Sequence, residues 1–237
     1  KNKFFIQVNQ IIDWHPIEKE LKKVYKVGLK QRGTAAYNPL LLFKMQLISI
    51  WYDLSDVQTE AMVNDSLSAM RFCELTIEDS VPDHSTLSRF RSELTQKKAY
   101  DRLLRKINGQ LNRHKLIIKG GAKVDASLTE SPFNPKGTLT YQLAEDRKED
   151  NRSQDDLENE NQYHSLKQVE QPGADNQARW VKKRGKYTYG YKKHIATDIN
   201  GIILGVHTTT ANEHDSKGLA QLIEKVPKTQ RKQVMAD

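Results

Sequence analysis

Two stretches say most about the fold of this chain: Lys123-Val124-Asp125-Ala126-Ser127 and Gln233-Val234-Met235-Ala236-Asp237. Each has the pattern of a short apolar strand that carries one aspartate. A carboxylate in an apolar strand is costly to bury unless it is paired or binds a metal ion. Either aspartate alone also fits the solvent face of an edge strand. The two together indicate a paired or metal-binding site more strongly than either does alone.

The segment between the two aspartates narrows the fold class. Residues 187–199 alternate as a strand, residues 198–201 (Asp-Ile-Asn-Gly) signal a tight hairpin, and residues 202–210 return as a second strand. A helix capped by residues 212–216 follows and ends at Pro227. This order, with aspartates in its first and last strands, resembles the first half of a ribonuclease-H-like domain. We predict an α+β protein in which this domain is incomplete and the two carboxylates converge.

Residues 1–115 have helical periodicity and predict an all-helical domain resembling helix-turn-helix architecture. The remaining residues, 116–237, form the predicted ribonuclease-H-like domain, where 116–118 and 122–128 flank a turn or bulge signal, Lys-Gly-Gly. Residues 134–177 are polar and poor in hydrophobic side chains, so we expect them to form a mobile insertion.

Residues 85–91 (Ser-Thr-Leu-Ser-Arg-Phe-Arg) have the composition of a DNA-recognition helix. Ser85, Arg89 and Arg91 would suit phosphate oxygens or base edges. The alternative is an ordinary amphipathic helix whose leucine and phenylalanine side chains are buried and whose arginines face solvent. The pattern alone favours this alternative.

The net charge of +8 is unevenly distributed. Residues 142–175 carry a net charge of −6, so the rest of the chain carries +14. A basic body suggests a polyanionic partner, most simply nucleic acid, although many soluble bacterial proteins are basic as well. The single cysteine, Cys73, excludes an intramolecular disulfide. Without a visible signal peptide or a long apolar run, we expect a cytoplasmic, nucleoid-associated protein that has no contact with membranes.

A basic run follows the acidic segment and is a candidate for contacts with the DNA backbone. A solvated charged loop is an equally good interpretation. His194 and His214 are interpreted as non-ligands, with His214 in the cap of the following helix, and no Cys/His spacing fits zinc. The candidate contact residues are Trp180, Lys182, Lys183, Arg184, Lys186, Lys192 and Lys193.

Several ordered motifs together resemble the bacterial insertion-sequence transposases of the DDE class, and specifically the group called IS-five. They cover nearly the whole chain outside the acidic segment. The N-terminal motif is PDHSTLSRFR at residues 82–91. The others are VDAS at 124–127, Trp180 followed by GYKKH at 190–194, TTANEHDS at 209–216, and MAD at 235–237.

The resemblance implies a catalytic domain that uses Asp, Asp and Glu with two Mg²⁺ ions, for which Mn²⁺ can substitute. Asp125 is then the first catalytic and metal-binding aspartate and Asp237 the second. The implied partners are double-stranded DNA, as terminal inverted repeats and target, and a second copy of the protein on that DNA. The implied glutamate has no counterpart after Asp237, so we expect the chain by itself to be inactive.

Two alternatives stay open from the sequence. The chain could be a catalytically dead DNA-binding remnant or regulator that competes for the inverted repeats, or a host nuclease of similar fold. Salt-sensitive binding without metal-dependent nicking would favour the first. Cleavage that is indifferent to element ends would favour the second.

Overall fold

The computed structural model describes residues 3–26, 36–135, 141–143, 166–168, 173–183, 185–231 and 233–236. Their helical part is seven consecutive helices followed, much later, by an eighth. These are α1 (Lys3–Ile11), α2 (His15–Val24), α3 (Pro39–Tyr52), α4 (Asp56–Asp65), α5 (Leu67–Phe72), α6 (His84–Gln96), α7 (Tyr100–Arg113) and α8 (Asp215–Lys225).

The strands described are β1 (Ala122–Glu130), β2 (Tyr141–Leu143), β3 (Leu166–Gln168), β4 (Arg179–Lys183), β5 (Lys186–Thr197), β6 (Ile203–Thr210) and β7 (Val234–Ala236). A 3₁₀ turn, Lys228–Gln230, follows α8. Within the predicted insertion, β2 and β3 form an antiparallel pair, and most of its other residues lie outside the described part. None of the described helices is long and apolar enough to cross a membrane.

The helices α3 and α4 begin at side-chain caps. Asn38 accepts a hydrogen bond from the Leu40 backbone N–H at 2.9 Å, and Pro39 follows it at the first helical position. Ser55 opens α4 with a reciprocal capping box that includes Gln58. These contacts satisfy backbone donors that have no partner inside the helix. The predicted helical character of the N-terminal region is therefore confirmed for its described residues.

A buried lysine lies inside the helical core. Lys44 on α3 is fully buried, its Nζ is 2.8 Å from Glu74 Oε1, and it lies 4.6 Å from the centroid of the Trp14 ring. Phe72 supplies a second aromatic face at 5.1 Å. The carboxylate and the two rings offset the cost of removing the ammonium group from water.

The main sheet has five strands in the order β4-β5-β1-β7, with β6 paired to β5. β1 and β7 are parallel, whereas β4 and β5 are antiparallel. The predicted order along the chain is present: β1, then β5 and β6, then α8, then β7, with β2 to β4 between β1 and β5. The first and last of these strands, β1 and β7, lie side by side. The α+β class and the ribonuclease-H-like arrangement are thus confirmed.

Asp198 forms the hairpin between β5 and β6. Its carboxylate accepts hydrogen bonds from the backbone N–H groups of Asn200 at 3.0 Å and Ile202 at 2.9 Å. It also accepts one from the Ile118 N–H at 3.0 Å. Residues 116–118 therefore form no strand, and the first strand begins only at Ala122.

One glutamine connects the loop before β1 to the segment before β7. Gln230 is 1% exposed; its Oε1 accepts from the N–H groups of Gly120 and Gly121, each at 3.3 Å, and its Nε2 donates to the Ile118 carbonyl at 2.8 Å. Gly121 has φ +138°, and a Cβ there would lie 2.8 Å from the carbonyl oxygen of Gln233. Only glycine fits this close approach, which fixes where β1 starts relative to β7.

The chain divides into two compact units, whose limits run through β1, β5, β6 and α8. One contains the described residues of Lys1–Asp125, Ile195–Val206 and Gln221–Asp237, and the other those of Ala126–His194 and His207–Ala220. The first unit holds a large helical core and a smaller apolar cluster formed by Ile117, Ala122, Ala196, Leu204, Leu222 and Val226. The predicted domain limit near residue 115 stays a prediction.

Candidate functional site

Asp125 lies on β1, one residue after the described pairing with β7. The parallel register joins Ala122 to Val234, Lys123 to Met235 and Val124 to Ala236. The Asp125 side chain is exposed. Asp237, the residue after Ala236 in the sequence, lies outside the described residues.

The side chains proposed for metal binding are of the right chemical kind. Carboxylate oxygens are the ligands that Mg²⁺ prefers. Among the described residues no three His, Cys, Asp or Glu side chains lie together as a metal-binding group, and Asp237 is not among those residues. The evidence that the residues fit Mg²⁺ is therefore the exposed Asp125 carboxylate on β1 and its position beside β7, the strand that leads to Asp237.

The N-terminus of α6 is held by Asp83. Its carboxylate accepts from the Thr86 backbone N–H at 2.6 Å and from the Ser85 hydroxyl at 2.8 Å. The backbone hydrogen bond is the main reason that the pKa of Asp83 falls to about 2. Arg89 donates to the hydroxyls of Ser85 at 3.3 Å and Thr86 at 3.1 Å, and both Ser85 and Arg89 are exposed.

Arg91, the other predicted contact on α6, is engaged by a neighbouring helix. Its guanidinium forms an ion pair with Asp56 on α4. His84 adds a second connection to α4 through Glu60, whose Oε2 lies 2.9 Å from the His84 Nδ1. The structure therefore separates the two arginines: Arg89 lies on the exposed surface of α6, and Arg91 is shared with α4.

The described lysines of the basic run lie on β4 and β5, which pair antiparallel as the β4–β5 hairpin; the first of these strands was not predicted from the sequence. Opposite residues in this hairpin are Trp180 and Tyr189, and Lys182 and Tyr187. Trp180 is 40% exposed and packs against Tyr189 with ring centroids 5.1 Å apart. The Lys182 ammonium lies 5.1 Å from the centre of the Tyr187 ring.

The remaining lysines differ in their freedom to contact a ligand. Lys183 and Lys186 are exposed, and Lys186 forms an ion pair with Glu130 at 3.0 Å. Lys193 is also exposed on β5. Arg184 lies outside the described residues.

Lys192 is largely occupied inside the protein. Its Nζ donates to the Glu213 carbonyl at 2.6 Å and pairs with Asp215 Oδ1 at 2.7 Å. The hydrogen bond from Lys192 is the main cause of the lowered pKa of Asp215. This contact joins β5 to the start of α8, so Lys192 has a structural task beside the predicted DNA contact.

His194 is a buried core histidine. It is 1% exposed, its Nε2 lies 3.0 Å from Thr209 Oγ1, and Gly218 of α8 packs directly on its ring. Burial lowers the pKa of His194, while the nearby Asp215 carboxylate acts in the opposite direction. His214 lies just before α8, where its Nδ1 accepts from the Ser216 N–H at 3.3 Å, as the predicted helix cap requires.

Asp175 was missed by sequence reasoning, which placed it in the polar insertion. Tyr191 donates to its carboxylate oxygens at 2.7 and 2.8 Å, and Ser131 donates at 3.0 Å. Burial raises the pKa of Asp175, but these hydrogen bonds outweigh that effect and lower it. Its backbone N–H donates to the Phe133 carbonyl at 2.9 Å, so residues on both sides of the insertion are joined at Asp175. The tyrosines that alternate along β5 were the available signal.

Two family comparisons bear on these observations. Residues 1–93 match the family described as Transposase domain (DUF772), which includes α1 to α5 and most of α6. Residues 164–237 match the family described as Transposase DDE domain, which includes β4 to β7 and Asp237. No solved structure matches the chain.

Proposed function

The chain belongs to the insertion-sequence DDE transposases, and from this premise we propose that it binds the terminal inverted repeats of its element and catalyses metal-dependent DNA strand cleavage and transfer. Its narrower assignment to the IS-five group stays a prediction. Transposition is the coarse function that the two family matches support. The DNA ends, the metal and the residues named below are the proposal.

The observation that carries the proposal is the parallel pairing of β1 with β7. The two strands are far apart in the sequence, and their register brings Val124 opposite Ala236. We infer that Asp125 and Asp237, which follow these two residues, form a carboxylate pair on adjacent strands. The Gln230 contacts with the loop before β1 support this register because they hold the starts of both strands.

Asp125 and Asp237 would hold Mg²⁺, with Mn²⁺ as a substitute. When bound, the ions supply activation of the attacking oxygen and stabilisation of the leaving oxygen at the phosphate. The protein's own contribution is the exposed Asp125 carboxylate on β1 and the parallel strand β7 that leads to Asp237. Positioning of this kind accounts for much of the rate enhancement in phosphoryl transfer.

Duplex binding is assigned to exposed polar and cationic residues inside the two family-matched regions. Ser85 and Arg89 form the polar start of α6, and Lys183, Lys186 and Lys193 extend the positive surface of the sheet. Each contact with a phosphate releases counterions, so affinity falls steeply with salt. Because two element ends are joined in one reaction, we propose that a homodimer acts on DNA.

Asp125→Asn tests the carboxylate pair. In a chain extended past Asp237 to supply the catalytic glutamate, it removes one negative charge without changing the shape of the side chain, so we expect loss of Mn²⁺ binding and of nicking at inverted-repeat ends, with unchanged duplex affinity. Mn²⁺ binding is measured by electron paramagnetic resonance, nicking on labelled duplexes, and affinity by fluorescence anisotropy. Glu130→Gln is the matched control for Mn²⁺ binding and nicking because it lies on the same strand and is exposed. Duplex affinity is compared with the wild type alone, since Glu130 pairs with Lys186. Wild-type Mn²⁺ affinity and nicking in Asp125→Asn would remove Asp125 from the site.

A further inference from the structure

The β4–β5 hairpin has one face that differs from the rest of the basic surface. Directly opposite residues of an antiparallel pair project to the same side, and side chains alternate along each strand. The register therefore puts Trp180, Lys182, Tyr187 and Tyr189 on one face, which we call the aromatic face. Lys183 and Lys186 are opposite each other on the other side.

The aromatic face is built on a fixed support. Tyr189 is 2% exposed, and its hydroxyl donates to the Asp175 carbonyl at 2.8 Å. The Trp180 ring leans on Tyr189 at an interplanar angle of 50°. One side of the indole is thus packed, while 40% of the residue stays exposed.

Tyr187 extends this face toward the hairpin turn. It is 61% exposed and carries the Lys182 ammonium 5.1 Å from its ring centre. The cation–π contact restrains both side chains although they are in solvent. The result is two exposed ring surfaces beside a positive charge, with further lysines on the reverse side of the same hairpin.

This combination of side chains selects one kind of ligand. Lysines alone would suit the phosphates of any nucleic acid. Exposed rings add binding energy only when a base offers its flat face, and in a duplex those faces are covered by neighbouring bases. Aromatic rings within a positive groove are the features by which proteins bind single strands.

We propose that the aromatic face binds unpaired DNA, with bases stacked on Trp180 and Tyr187 and the strand's phosphates near Lys182. The inference rests on the proposed function and refines it, since a strand that has been cut at the element end can separate from its complement there. The exposed cations of α6 and of the sheet then bind duplex DNA, while the aromatic face binds the single strand that has separated from the duplex.

The test compares single-stranded and duplex DNA binding for the same variants. The probe is fluorescently labelled oligothymidine, beside a duplex of equal length, in anisotropy titrations at one salt concentration. We expect Trp180→Ala and Tyr187→Ala each to weaken oligothymidine binding by roughly 5- to 150-fold, the range for loss of one stacked base. Duplex affinity should change less than about twofold, because phosphate contacts supply that term.

Trp180→Phe keeps an aromatic face at the same position and should retain most of the single-strand affinity. Comparison with Trp180→Phe shows whether a loss in Trp180→Ala comes from the missing ring or from a folding defect. Trp51→Ala controls for the loss of an exposed tryptophan elsewhere, since Trp51 is 37% exposed. Equal losses for single strand and duplex, or no loss for either, would overturn the stacking assignment. Tighter binding of oligouridine than of oligothymidine would overturn the choice of DNA.

The proposal and the proposed function fail in different ways. If Asp125→Asn abolishes Mn²⁺ binding while Trp180→Ala leaves oligothymidine binding unchanged, only the aromatic face is wrong. If oligothymidine binding depends on Trp180 but the inverted-repeat duplex is not bound, the transposase assignment of the site is wrong.

Discussion

Replacing Gly218 by alanine is expected to destabilise the protein, although the same change in a helix usually stabilises it. Gly218 lies in α8, and a Cβ there would be 2.5 Å from Nε2 of His194 and 2.7 Å from Cδ2 and Cε1. The ring has little room to retreat, because His194 is 1% exposed and its Nε2 is 3.0 Å from the Thr209 hydroxyl. Either the helix or the ring must shift.

The size of the effect follows from three contributions. Alanine in a helix is favoured over glycine by about 0.8–1 kcal/mol. Overpacking a close-packed site costs about 1–3 kcal/mol, and a strained or lost hydrogen bond costs about another 1 kcal/mol. The net destabilisation for Gly218→Ala is therefore about 1–3 kcal/mol.

Gly109→Ala is the matched control, because Gly109 lies inside α7 and a Cβ there would meet nothing within 4 Å. It should stabilise by about 0.5–1 kcal/mol. In a chain of this size each kcal/mol moves Tm by about 2–4 °C, so thermal unfolding followed by circular dichroism should separate the two variants clearly. If Gly218→Ala raises Tm as much as Gly109→Ala does, α8 is not packed on His194 as described.

Three further predictions concern buried charge and DNA contact. Burial lowers the pKa of His194, so as the pH falls the unfolded chain binds a proton at this residue before the folded chain does. The free energy of unfolding therefore decreases below about pH 6.5, by at most about 1.4 kcal/mol per pH unit. In His194→Gln the free energy of unfolding measured in urea should depend less on pH between 7.5 and 5.5, and an unchanged pH dependence would contradict this. Glu74→Ala leaves the buried Lys44 ammonium without its carboxylate. It should cost about 1–3 kcal/mol, less than for a fully buried pair, because the Glu74 side chain is 65% exposed. The Lys44→Met, Glu74→Ala double variant should recover most of this loss, and equal losses in both would point to packing instead. Arg89→Ala should reduce the slope of log affinity against log salt for inverted-repeat duplex by about 0.9 without changing Tm; a slope equal to that of the wild type would place Arg89 outside the interface.

Local sequence signals predicted the elements that local chemistry controls. Asn38 before a proline and Ser55 before an acidic first turn are sequence signals of helix starts, because their side chains satisfy backbone groups a few residues away. Asp198 marked the hairpin for the same reason. The carboxylate-bearing strand was predicted from the position of Asp125 within a short apolar run.

Features that depend on distant partners were not predictable in this way. Residues 179–183 are mostly basic and were not predicted as a strand, yet they pair antiparallel with β5. Lys192 looks like its neighbour Lys193 in the sequence, and its contacts with Asp215 and the Glu213 carbonyl distinguish the two. In the sequence, Lys44 is a charged residue that interrupts an apolar helical segment. Its contacts with Trp14 and Glu74, which are distant in the sequence, form only in the folded structure.

The contact between Gln230 and Ile118 also has a consequence for synthesis. The two residues are 112 positions apart, and at about 5–20 residues per second a ribosome needs roughly 6–22 s to make that interval. During that time α1 to α7 are already made, while β1 lacks both the glutamine that fixes its start and β7, the parallel strand that pairs with it. Under the proposed function, the nascent chain can hold DNA before it can cut it, and the order of synthesis enforces that delay.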